Sequence, residues 1–98
     1  MTFLFDRQIG NDDFSGRVGK AFGVQVAGHQ LSLTLVAFQE LPATTRVGGS
    51  FRLEFAGPMN PQLGQGVFPF CIGTDQYNIF IVPVGPKADG MLYEAVFC

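Results

Sequence analysis

The plainest hydrophobic pattern in the chain runs from Gln30 to Leu41. Leu31, Leu33, Leu35 and Ala37 share one parity, while Ser32, Thr34, Val36 and Phe38 share the other. The period is two rather than 3.6, which predicts a strand. Val18 to Ala27 reads the same way, with Phe22, Val24 and Val26 on one side. Gly28-His29 supplies a turn between them, so the pair predicts an antiparallel hairpin. Phe51, Leu53 and Phe55 alternate with Arg52 and Glu54, giving a third strand with one dry and one wet face. Gly57-Pro58 ends it.

The second half continues in strands. Val67 to Ile72 is apolar but contains Pro69, which removes a ladder donor and points to an edge or a bulge. Gly73 to Asn78 reads as a turn. Ile79 to Val84 is a short run expected to be buried on both faces, closed by Gly85-Pro86. Lys87 to Gly90 is a polar turn, and Met91 to Phe97 finishes as a strand hairpinned to Ile79–Val84. Three stretches stand outside this pattern. Met1 to Asp6 reads as an arm or short edge strand. Gln8 to Gly19 is a glycine- and aspartate-rich region anchored by Phe14, where Asp12-Asp13 is placed to cap a single helical turn. Pro42 to Gly49 is a loop.

Six strands and almost no helix in one domain of 98 residues predict an all-β fold. A small antiparallel barrel or a compact two-layer sandwich is the economical arrangement. There is no convincing internal repeat. No apolar run approaches the length of a membrane-spanning helix, and no secretory signal is legible, so synthesis in the cytoplasm is the default expectation.

Composition narrows the function. Charged residues make up only 14% of the chain, net charge is −2, and there are 11 phenylalanines against no tryptophan. A basic surface of the kind nonspecific nucleic-acid binding needs is missing. So many rings with so few charges raise the prospect that aromatic surface is buried against a partner. Phe22, Phe51, Phe55, Phe80 and Phe97 fit core positions on strands. Phe3, Phe5, Phe38, Phe68 and Phe70 are less clearly placed.

The chemistry-bearing residues are sparse. His29 is the only imidazole and lies at a turn, and Cys71 and Cys98 have no paired ligand spacing, so no metal site is expected. The two cysteines read as free thiols, with a Cys71–Cys98 bridge as the alternative. Cys71 lies in an apolar strand context with no base placed beside it. No serine has a nucleophile-elbow setting. The glycines form neither a phosphate loop nor a dinucleotide fingerprint. Hence no catalytic residues, cofactor or metal are expected.

What remains is a surface for protein association. Phe38, Phe68 and Phe70 are the aromatic candidates, joined by Asn60, Gln62 and Gln65 in the uncharged Asn60–Gly66 loop, a composition suited to a wet interface or to a flexible connector. Self-association or a protein partner is the favoured reading. A small-ligand module with a phenylalanine-lined pocket is the alternative. A nucleic-acid-binding barrel comes third, and would require Arg17, Lys20, Arg46 and Arg52 to cluster in space.

A series of segments adds a resemblance. These are Val18-Gly19-Lys20-Ala21-Phe22, Leu31–Leu35, Phe51-Arg52-Leu53-Glu54-Phe55 before Gly57-Pro58, Pro61 to Gly66, Ile79 to Gly85, and Tyr93-Glu94-Ala95-Val96-Phe97. Together they resemble a family of uncharacterised bacterial domains of about the same length as this chain, ending in Tyr-Glu-Ala-Val-Phe. The resemblance covers nearly the whole chain. It implies the company of phage-tail-collar-like proteins, and so a structural or accessory role with incorporation into a tail-like particle. It lends no reaction and no catalytic residue. The family usually ends in Asn where this chain has Cys98, which removes any shared role for that thiol.

Overall fold

In a computed structural model, which describes residues 10–42, 49–60, 62–88 and 90–97, the chain forms a closed six-stranded antiparallel barrel. The strands are β1 (Ala21–Val26), β2 (His29–Glu40), β3 (Phe51–Gly57), β4 (Gly66–Ile72), β5 (Asp75–Lys87) and β6 (Gly90–Phe97). Their order around the barrel is β1-β2-β3-β6-β5-β4, with β4 returning to β1. Strands β1 to β3 form one meander and β4 to β6 another. The β3–β4 connection crosses one end of the barrel to bring β4 beside β1, a Greek-key arrangement.

Turn chemistry sets the hairpins. Val26 pairs with His29, so the β1–β2 turn is Ala27-Gly28, one residue earlier than the sequence pattern indicates. Both residues have positive φ, 49° and 82°, as in the type I′ turn whose twist suits a two-residue hairpin. Gly73-Thr74 joins β4 to β5, because Ile72 pairs with Asp75. Strand β5 therefore begins at Asp75, within the stretch expected to be turn, and extends past Pro86. At the other end of β5, a Cβ on Gly90 would lie 2.3 Å from the carbonyl oxygen of Gly57, so β3 and β6 approach here in a way only glycine permits.

Two bulges reset the side-chain parity. Leu35 faces Phe55 and Ala37 faces Glu54, so Val36 is the extra residue on β2. Beyond it the alternation inverts, because two residues on one strand oppose one on the other. Phe38 therefore turns to the inner side and packs on Phe51, with ring centroids 5.8 Å apart. A second irregularity at Val84 separates the pairs Pro83–Tyr93 and Gly85–Leu92.

The interior is built from inward rows: Phe22 and Val24, Leu33 and Leu35, Phe51, Leu53 and Phe55, Phe70 and Ile72, Ile79 and Ile81, Tyr93 and Ala95. Rings connect the rows. Phe55 meets Phe22 edge-on at 5.9 Å and Phe70 at 5.0 Å, and Phe51 stacks on Phe97 at 4.7 Å. Tilted and edge-on contacts of this kind add to burial alone.

Each end is closed by a connection. At one end the 3₁₀ turn Asn11–Asp13 precedes Phe14, which is fully buried between Phe22, Phe51 and Phe97. The Gly10 N–H donates to Asp13 Oδ2 at 2.9 Å, the acidic half of a capping box. At the opposite end the β3–β4 crossover buries Leu63, whose N–H donates to Tyr93 Oη at 2.8 Å. A phenol in the barrel core and a buried amide thereby satisfy each other.

Candidate functional site

The structure redistributes the aromatic residues. Phe70 is fully buried on the inner face of β4 and is not a surface contact. Phe68 has the same parity, opposite Ile79, and packs partly against the core, as Phe38 does after the β2 bulge. These three rings are drawn inward, two by strand parity and one by the bulge. Phe80 moves the other way. It was expected in the core, but it is 50% exposed, because Ile79 and Ile81 take the inward positions of an alternating strand. The continuous apolar run Ile79–Val84 conceals that alternation in the sequence. It is not buried on both faces. Phe3 and Phe5 lie outside the described residues.

Phe80 has an outward neighbour. Its register partner is Val67 on β4, itself 59% exposed. Val82, two residues on, shares that face and is half-buried. An apolar pair therefore stands on the outer wall of β4–β5. Asn60, Gln62 and Gln65 are all exposed on the crossover leading into β4. Leu63 in their midst is buried, so the loop is anchored rather than a free connector.

The neighbouring wall is chemically different. Glu54 on β3 and Glu94 on β6 are direct register partners, an arrangement that sets like charges face to face. Arg52 resolves it: Nη2 donates to Glu54 and Nε to Glu94. The hydrogen bond to Glu94 holds the Arg52 guanidinium above its ordinary pKa. Partial desolvation opposes this, and the Glu54 hydrogen bond and both carboxylate charges reinforce it. Sequence reading placed Arg52 and Glu54 on a wet face but not the Glu94 partnership. Only β3–β6 pairing supplies that.

Arg52 is thus committed to two carboxylates and does not join a nucleic-acid-binding cluster. Arg17 and Lys20 do meet, at the rim of an open cleft of about 240 Å³ with Ala21, Phe22, Cys71 and Gly73. Arg46 lies outside the described residues. Cys71 is a half-buried free thiol, and Cys98 lies outside the described residues, as does any bridge to it. A larger apolar groove, about 550 Å³, follows the β1–β2 hairpin along Val26, Ala27, His29, Gln30 and Leu31. Among the described residues its lining has no phenylalanine, unlike the pocket the small-ligand reading requires. Apart from Phe80, the described phenylalanines pack in or against the barrel core instead.

Among the described residues, no group of three or more His, Cys, Asp or Glu is placed to hold a metal ion. The barrel lacks obvious catalytic machinery there. No helix among the described residues is long and apolar enough to cross a membrane. Residues 9–97 match the DUF6916 family, described as a domain of unknown function. No curated protein and no solved structure matches the chain.

Proposed function

The chain belongs to the DUF6916 family, and from that premise we propose that it is a non-enzymatic structural or protein-interaction domain that associates with itself or a protein partner. Its setting is an accessory position in a phage-tail-like assembly. The setting rests on the resemblance of its motifs to domains that accompany tail-collar-like proteins.

The observation that carries the interaction reading is the outward Val67–Phe80 pair on β4–β5. A half-exposed phenylalanine opposite a more exposed valine loses apolar surface to water unless another surface covers it. The barrel is closed, so recognition proceeds by side-chain packing on its wall rather than by addition of a strand to a free edge.

Light scattering across the micromolar range, on the chain and on Phe80→Asp, tests this. Association should be concentration-dependent, and the variant should weaken it by roughly thirtyfold, about 2 kcal/mol for a central aromatic anchor. Purification from the native host should recover the domain with a tail-like particle. A chain that stays monomeric at high micromolar concentration and copurifies with nothing overturns the reading.

A further inference from the structure

The cleft at the Phe14 end of the barrel begins in local sequence. Two consecutive turns, closed by Arg17 N–H to Phe14 O and Lys20 N–H to Arg17 O, both 2.9 Å, carry the two cations three residues apart. The second turn is then pinned to β2. Gly19 N–H donates to Leu35 O at 2.7 Å, and Leu35 N–H donates to Lys20 O at 2.9 Å. The backbone that presents Arg17 and Lys20 is therefore held by the barrel.

The opposite wall comes from the seam that closes the barrel. Strands β1 and β4 share one register pair, Val24 with Phe70. Toward the Phe14 end they carry no further pair, and the cleft opens between Ala21-Phe22 on one side and Cys71 and Gly73 on the other. Pro69, without an N–H, sits beside this thin ladder. Gly73 leaves open space where a Cβ would stand, so a ligand can approach its backbone closely.

Charge gives the cleft its selectivity. The chain is net negative, yet the described residues lining this cleft include two cations and no carboxylate. Among the described residues neither Arg17 nor Lys20 forms an ion pair. Arg52, by contrast, is paired with two glutamates.

We propose that the cleft between β1 and β4 binds a small phosphate-bearing anion, such as a phosphate monoester or a pyrophosphate group. Arg17 donates in a fork to the phosphoryl oxygens and Lys20 adds a point charge. The Cys71 thiol stands at the wall, where the bound anion shields it. The site is separate from the β4–β5 outer wall and does not depend on self-association.

The test uses inorganic pyrophosphate, added at constant ionic strength to the ¹⁵N-labelled Cys98→Ser chain. Saturable amide shifts should be confined to Arg17–Phe22 and Cys71–Gly73. Alkylation of Cys71 by neutral N-ethylmaleimide should slow in step with saturation. Arg17→Gln with Lys20→Gln should weaken binding by at least tenfold, with amide shifts elsewhere unchanged, and added salt should weaken it further. If the double variant does not fold, Lys20→Gln alone, at an exposed position, should still lower affinity measurably. Absence of saturation through the millimolar range overturns the proposal. So does equal binding by the variant, or shifts spread over every basic residue.

Discussion

The two ends of the barrel solve one problem in different ways. At one, Phe14 enters from the segment before β1 and is held among the rings of Phe22, Phe51 and Phe97. At the other, Leu63 enters from the β3–β4 crossover and is fixed by a directed bond to Tyr93 Oη. The aromatic plug works by area and shape, so its energy is spread over many weak contacts. The leucine plug buries less side chain but carries a backbone amide with it, and that amide needs its acceptor. One end should therefore respond to volume, the other to a single polar atom.

Removing the larger plug should do the most damage. Phe14→Ala should cost about 3–5 kcal/mol in urea unfolding, whereas Phe14→Leu should lose only about 1–2 kcal/mol. Equal losses from both would show that the end is governed by something other than filled volume. At the opposite end, Leu63→Ala should cost about 2–3 kcal/mol. Tyr93→Phe, which removes one oxygen, should cost about 1–3 kcal/mol by stranding the buried Leu63 N–H. Near-neutral Tyr93→Phe would erase the contrast between the ends.

Two smaller effects sharpen it. The turn at the Leu63 end holds Ala27 at φ 49°, a conformation that asparagine tolerates better. Ala27→Asn should raise stability by about 0.5–1 kcal/mol, read as a higher Tm. At the start of β3, Ser50 Oγ is buried without a hydrogen-bond partner among the described residues. Ser50→Ala should be neutral or stabilising by up to about 1 kcal/mol, since it deletes an unsatisfied hydroxyl without stranding another group.

The same contrast explains what was legible. Phe14 stands alone as an apolar residue among glycines and aspartates, so its anchoring role is visible in sequence. Leu63 sits in a loop of Asn, Gln, Pro and Gly, and nothing local marks it as buried. β1, β2, β3 and β6 were legible because alternation records a face in contact with water and a face against the core, whereas β4 and β5 were legible only as short apolar runs between turn residues. Phe38 was left between core and interface and Phe80 was assigned to the wrong side, for different reasons. A bulge shifted the parity for the first, and an unbroken apolar run hid it for the second. The sequence carries the composition behind the proposed interaction surface, an excess of phenylalanine over charge, but not its positions. The structure exposes Phe80 and Val67 and buries Phe70.

The sequence by itself determined the all-β class, the number and approximate positions of the strands and part of the aromatic core, because each rests on residues near one another in the chain. Closure into a barrel was decided only in three dimensions, since pairing β4 with β1 and β3 with β6 joins segments that carry no local sign of each other. The Arg52–Glu54–Glu94 network, the Leu63–Tyr93 bond and the Arg17–Lys20 cleft follow from those long-range pairings. Each depends on register across the barrel, which alternation within one strand does not encode.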